Sequence, residues 1–354
     1  MKLNRVEQVY AQTDPRLAAC ETVAYSRAEG PEMIRFRWSG EARPGAAEVS
    51  LAFSRDNGRT WEPGPGPGGD SGVRPVAVGP RLVLVGGAGP RALRCRLSDD
   101  GGRTWVADEP VNPEGSDEAL SFEPANTPLV LKDGRVLVPC TVAEAGAPGC
   151  AAAGVLEGRW QGDGRLTWKR LAPVRIKPGQ SQSGVREPAL AEMPGGRILM
   201  VMRAGAGAAD PDSGYKWFSI SSDGGRSWGR PWPWTFSDGT PFYSPNNTSQ
   251  LFRHSSGEWY WIGILCPEAP REDKPGYPLV IGRVDPVSLR LEMETLDVID
   301  TRREGDTDHL DLSHFSLYED RQTADVVLRL TRRDGAAGGG GPVQAPVIAY
   351  TFDL

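Results

Sequence analysis

The sequence predicts an all-β fold, a closed six-bladed β-propeller, and three observations predict it. The first is composition: 44 glycines and 31 prolines in 354 residues break the chain into many short elements joined by turns, with no room for long helices. The second is an octapeptide that recurs along the chain, and the third is an apolar hairpin that precedes it. A chain of this length exceeds one ordinary globular core, so a ring of repeats accounts for its size as well as its pattern.

The octapeptide reads Ser-x-Asp-x-Gly-x-Thr/Ser-Trp. It occurs at Ser54 to Trp61, at Ser98 to Trp105 and at Ser221 to Trp228, and a worn copy runs from Gly162 to Trp168. Its chemistry is that of a hairpin turn. The Asp carboxylate accepts backbone N–H groups, Gly takes a positive φ, and Trp packs against apolar neighbours. Short strands flank each copy, such as Val49 to Phe53, Leu93 to Leu97 and Trp217 to Ile220.

The upstream hairpin is an apolar run, a Gly-containing turn and a second apolar run, as in Thr127 to Val138, Pro188 to Val201 and Thr248 to Ile262. Together the two hairpins make a four-stranded meander, which is one blade. Six such segments fill the chain, near residues 5–65, 70–110, 118–172, 183–235, 241–298 and 308–354. Ring closure then pairs Val6 to Ala11 with Val347 to Phe352, giving a single domain over 1–354. The Gly/Pro tract Pro63 to Gly72 and the run Gly335 to Gly341 read as loops within it.

A net charge of −6 and a pI near 5.4 supply no basic stripe for a phosphate backbone, so no nucleic-acid partner is expected. Five widely spaced cysteines without a CxxC pair indicate neither a disulfide framework nor a zinc site. The acidic run Glu304 to Asp308 lacks the form of a calcium loop, so neither metal nor cofactor is expected. With no apolar leader or membrane-length apolar run, the reading is a cytoplasmic protein without a membrane partner.

The boxes and their placement between strands resemble the sialidase (neuraminidase) superfamily with its bacterial-neuraminidase, Asp-box repeats. That resemblance implies a sialidase-like propeller with the boxes on the face away from the substrate. The segment Arg186 to Arg203 resembles the superfamily most specifically. It carries Glu187 on an innermost strand and Arg203 at the end of the next, where retaining sialidases have a Glu/Arg pair. Residues Tyr243 to Leu251 and Leu312 to Arg321 look like the corresponding strands of bacterial relatives.

The superfamily pattern also comprises an arginine triad, an Asp acid/base in the first blade and a Tyr nucleophile. In place of the usual Arg-Ile-Pro, this chain offers Arg16, within Asp14 to Leu17; Arg271 is the candidate third arginine. Glu41 stands in the acid/base loop, and His314 stands where the Tyr would be.

Polar residues just before the innermost strands of a propeller converge on one funnel. Arg16, Arg74, Glu123, Asn126, Arg186, Glu187, Tyr243, Asn246, Asn247, Asp311 and His314 take such positions. Each has a structural alternative: Glu187 as a partner of Arg203, Arg203 as a strand-end residue, His314 as a core histidine, Asn246 and Asn247 as turn formers, and Tyr243 as interface filler. His254 reads as an exposed turn residue, His309 as a loop residue or acid/base partner, and Glu319 to Arg321 as a local ion pair.

The function expected is a glycoside hydrolase that removes a terminal sugar, a carboxylate-bearing sugar included. Glu187 would be the central carboxylate, Arg186 and Arg203 the anchors, and His314 or Glu41 the proton-transfer group. The alternatives are a non-catalytic carbohydrate-binding propeller and a lyase acting on a uronic acid through His314 or Tyr243.

Overall fold

The computed structural model describes residues 1–354 apart from 12–16, 42–47, 65–72, 88–91, 115–119, 145–150, 178–179, 182, 206–213, 272 and 336–343. Of the two tracts read as loops, Pro63 to Gly72 and Gly335 to Gly341, residues 65–72 and 336–341 therefore lie outside the described residues, while Pro63 and Gly64 belong to a strand. So does Arg16.

The chain begins with β1 (Lys2–Tyr10). Blade I follows, with β2 (Leu17–Tyr25), β3 (Met33–Glu41), β4 (Glu48–Ser54) and β5 (Glu62–Gly64). Blade II holds β6 (Arg74–Val78), β7 (Arg81–Gly87), β8 (Leu93–Ser98) and β9 (Ala107–Val111). Blade III holds β10 (Leu120–Pro124), β11 (Leu129–Val130), β12 (Val136–Glu144), β13 (Ala152–Trp160) and β14 (Leu166–Arg170). Blade IV holds β15 (Val185–Glu192), β16 (Ile198–Ala204), β17 (Lys216–Ser221) and β18 (Trp232–Pro233). Blade V holds β19 (Gln250–Arg253), β20 (Trp259–Ile264), β21 (Leu279–Val284) and β22 (Asp297–Asp300), and blade VI holds β23 (Phe315–Glu319), β24 (Val326–Thr331) and β25 (Val347–Asp353).

These strands form six antiparallel sheets, so the fold is the six-bladed β-propeller that the sequence predicts. The strand β1 pairs with β25 from Lys2 opposite Asp353 to Tyr10 opposite Val347, and so closes the ring. The first strand therefore belongs to the last blade.

Each octapeptide joins the third and fourth strands of its blade and is wired as its residue types dictate. The Ser hydroxyl donates to Asp Oδ1 at 2.8 Å in all three good copies. The Thr or Ser hydroxyl four residues beyond the Asp donates to Oδ2 at 2.6 Å. The hydroxyls of Thr60 and Ser227, aided by backbone N–H groups, hold the carboxyls of Asp56 and Asp223 down at about 2. Because strands alternate in direction, these turns lie at the end of the ring opposite the starts of the innermost strands.

Apolar clusters fill the seams between blades. Leu199, Phe218, Trp234 and Trp261 pack between blades IV and V, and Ile262, Leu312, Leu328 and Tyr350 between V and VI. The closing seam differs. Between blades VI and I the cluster contains, among the described residues, only Val23, Tyr25 and Met33 with Trp61 and Tyr318 against it.

Polar contacts supplement that seam: Thr331 Oγ1 donates to the Ala19 carbonyl at 2.7 Å, and the Arg321 guanidinium lies 3.7 Å over the Tyr25 ring. At its centre the buried Glu21 carboxylate meets Arg37 at 2.7 Å, Arg329 at 3.5 Å and Arg35 at 3.6 Å. Removing one carboxylate strands several guanidiniums. Glu21→Gln is expected to cost about 3 kcal/mol of folding free energy, as other broken buried ion pairs do. An unchanged urea midpoint would show that the seam does not depend on this charge.

Two expectations are corrected here. His254 is buried, with its Nε2 2.7 Å from the Ala324 carbonyl and its ring edge-on to Tyr260. The imidazole turns from the hairpin onto the neighbouring blade, while Ser255 and Ser256 beside it stay exposed. Glu319 and Arg321 do not form a local pair either. Glu319 sits beside His254, while Arg321 donates to the carbonyls of Gly30 and Arg27 across the closing seam.

Candidate functional site

The starts of the innermost strands surround an axial channel that opens into a wider cavity of about 710 Å³. Arg74, Ala125, Thr248, Ser313 and His314 line both spaces, so channel and cavity form one funnel. Glu187, Arg203, Asn246, Asn247, Asp273 and Asp311 complete the polar wall of the mouth.

Glu187 is placed by a local irregularity. The register of β15 against β16 shifts between Arg186 and Ala189, and Glu187 has φ +47°, a left-handed conformation that non-glycine residues rarely take. A bulge of this kind re-aims a side chain at a cost of roughly 1–3 kcal/mol. The surroundings hold it there. Its backbone N–H donates to Thr141 Oγ1 at 3.1 Å, and its Oε1 accepts from Arg203 Nη2 at 2.6 Å. Just before β15, Gly184 (φ +71°) lies so close to Ala151 that a Cβ would sit 2.0 Å from its carbonyl oxygen. Only glycine lets the strand begin so near blade III.

Arg203, at the end of β16, is held from both sides. Its Nη1 donates to the backbone carbonyl of Asn246 at 3.1 Å and to Asn246 Oδ1 at 2.6 Å. Directly opposite it on β17 is Lys216, which is fully buried and donates to the carbonyls of Pro245 and Asn247. The ammonium therefore pins the loop that presents Asn246 to Arg203. Burial, with the Arg203 charge adding to it against weaker opposition from Glu187 and Cys266, pulls the Lys216 amine down to about 7.

The linkage sign follows from that depression. Between about 7 and the ordinary lysine range, the unfolded chain holds a proton on residue 216 that the native state has released, so Lys216 makes stability rise with pH. Urea midpoints measured from pH 6.5 to 9.5 are expected to climb more in the native chain than in Lys216→Met. Parallel midpoint curves would refute this.

On the opposite wall Asp311 and His314 form a pair, His314 Nε2 lying 3.3 Å from Asp311 Oδ2. Asp311 Oδ1 also accepts from the Ser313 N–H at 2.9 Å and its hydroxyl at 2.7 Å. Burial works against the Asp311 anion, but the imidazole and Ser313 outweigh it and hold the carboxyl well below its ordinary range. Burial likewise works against a charged His314, yet the hydrogen bond and charge of Asp311 outweigh that and raise the imidazole above its ordinary value. The His314 side chain keeps 43% of its surface accessible through the funnel, so its proton can reach a ligand.

The structure thus brings Glu187, Arg203, Asn246, Asn247 and His314 together around one cavity. Arg186, Arg271 and Tyr243 are not in its wall. Arg186 turns toward the Ser183 carbonyl, Arg271 is exposed, and Tyr243 stacks on Tyr215 with centroids 5.3 Å apart. Glu41 ends β3, but its side chain, like Arg16, lies outside the described residues. His309 is exposed in its loop, its backbone N–H bonded to Thr307 Oγ1.

Sequence reasoning missed Lys216 and Asp273 altogether and gave Asp311 no role of its own. For Lys216 a signal existed: a lone cation opening the otherwise apolar strand Lys-Trp-Phe opposite Arg203. For Asp311 it was the three-residue spacing to His314.

Comparison with curated proteins gave no match. Among solved structures, a protein of unknown function from Dyadobacter fermentans superposes with a TM-score of 0.65 at 16% identity, covering 98% of this chain and 99% of the other. The NanB sialidase of Streptococcus pneumoniae gives 0.64 at 12% identity over 100% of this chain and 71% of its own. The α-L-arabinanase of Penicillium chrysogenum, bound to arabinobiose, gives 0.58 at 13% identity over 98% of both chains. These likenesses establish a scaffold on which glycoside hydrolases are built. The model of the BNR repeat-like domain matches residues 76–273, more than half of the chain and the span that contains the Glu187 bulge. By its repeats, its six closed blades and this match, the chain belongs to the BNR repeat-like domain family.

Proposed function

We propose that the chain is a glycoside hydrolase that removes a terminal sugar at the funnel mouth. The observation that carries this reading is Glu187, a carboxylate held in a strained left-handed conformation at a strand bulge and aimed into a cavity that it shares with the Asp311–His314 pair. Strain that the surroundings maintain at a polar cavity wall is a mark of function.

The two groups have complementary tasks. His314, whose charged form Asp311 favours, gives its proton to the glycosidic oxygen as the bond to the anomeric carbon breaks and the electron pair leaves with the alcohol. Glu187, an anion fixed by Arg203, stabilises the positive charge that develops on the sugar ring. Water then adds to the anomeric carbon and returns a proton to His314. An imidazole biased toward its charged form is suited to donating a proton, which favours hydrolysis over abstraction of a proton from a uronic acid.

A panel of 4-methylumbelliferyl glycosides and oligosaccharides tests the reading. Release of a monosaccharide with one new reducing end is the expected result. An unsaturated, ultraviolet-absorbing product, or binding of a glycan with no product from it, would count against it.

A further inference from the structure

We propose that the funnel cavity takes an uncharged, polyhydroxylated sugar residue and discriminates against a carboxylate-bearing one. This rests on the reading of the cavity as a sugar site and narrows its substrate class.

The argument is one of charges already matched. Among the described residues that line the cavity, the cationic side chains are Arg74, Arg203 and, when protonated, His314, and the carboxylates are Glu187, Asp273 and Asp311. The wall is therefore neutral or carries one net negative charge.

Gripping a ligand carboxylate needs a guanidinium with two parallel N–H groups to offer. Arg203 has no such pair to spare. One Nη2 N–H is on Glu187, Nη1 donates twice to Asn246, and Nε is sealed from solvent, which leaves a single Nη2 N–H. The charge of His314 is matched by Asp311 at 3.3 Å. Arg74 donates through Nη2 to the Ala125 carbonyl, and Glu187 shares the same cavity wall, which tempers its charge without a direct ion pair.

A ligand anion entering here would lose its hydration, would meet only Arg74 without a carboxylate at ion-pair distance, and would approach three carboxylates. Sugar hydroxyls meet no such penalty. They can donate to the remaining lone pairs of Glu187 and Asp273 and accept from groups such as the Thr248 hydroxyl. Arg186 and Arg271, which could have supplied a carboxylate clamp, lie off the cavity wall.

Ligand-observed and protein-observed NMR titrations of the full wild-type chain test this with four free monosaccharides: L-arabinose, D-galactose, D-glucuronate and N-acetylneuraminate. At least one neutral sugar is expected to bind at least tenfold more tightly than either acid. Glu187→Gln, which leaves Arg203 facing an uncharged amide, is expected to improve acid binding at least severalfold. An acid that binds the wild type as well as the neutral sugars overturns the proposal, and loss of that binding in Arg16→Ala would assign it to Arg16. No binding by any of the four overturns it as well. Selective binding of a neutral sugar whose glycosides are not hydrolysed would retire the catalytic reading and leave the selectivity standing.

Discussion

Glu187→Gln is expected to lower kcat by about 1000-fold or more on any glycoside that the native chain cleaves, with little change in KM or in the urea midpoint. The substitution is isosteric. The amide oxygen can still accept from Arg203 Nη2, Thr141 can still accept the backbone N–H, and the left-handed conformation of residue 187 is no more strained than before. What disappears is the negative charge. Stabilisation of a cationic transition state by a fixed anion in a partly desolvated site is worth several kcal/mol, and 1000-fold corresponds to about 4 kcal/mol. Loss of turnover with an intact fold would separate this role from the structural one, in which Glu187 merely neutralises Arg203. A variant that keeps full turnover would remove Glu187 from the chemistry.

The architecture was legible in the sequence because its determinants are local. The three octapeptides carry their own hydrogen-bond partners within a few residues, so Ser54, Asp56 and Thr60 make the same bonds as Ser98, Asp100 and Thr104. Glu187 and Arg203 were legible as a pair because adjacent strands of one blade place them side by side.

The rest of the wall was not, because it depends on contacts between blades. Asn246 reaches Arg203 from the next blade, and Lys216 pins the Asn246 loop by bonding main-chain carbonyls, which no side-chain motif records. His254 illustrates the same limit. A histidine in a hairpin turn between polar residues reads as exposed until the neighbouring blade covers its ring. Arginine positions proved least informative, since strand-start location alone does not fix whether a long side chain enters the funnel, as Arg74 does, or folds back along the backbone, as Arg186 does.

The second large effect concerns the pH dependence of turnover. His314 is raised above its ordinary value, so the alkaline limb of kcat is expected to lie above pH 6.5. Asp311 is the group that outweighs burial in setting this position. In Asp311→Asn the amide can keep the Ser313 contacts but removes the charge, leaving burial and Arg333 to disfavour the imidazolium against the weaker pull of Glu187.

The alkaline limb of that variant is expected to move toward acid, with kcat at pH 7.5 falling as the protonated fraction shrinks. Stability follows the same pair with definite signs. The depressed Asp311 contributes fully above the ordinary carboxylate pKa and loses its contribution as pH falls through its folded value. The raised His314 contributes fully below its ordinary pKa and loses its contribution as pH rises through its folded value. The pair therefore stabilises the closing blade most between those two ordinary values, and Asp311→Asn is expected to lower the midpoint across that window and to flatten its fall on either side. If the alkaline limb of kcat stands at the same pH in native chain and variant, the proton donor is a group other than His314.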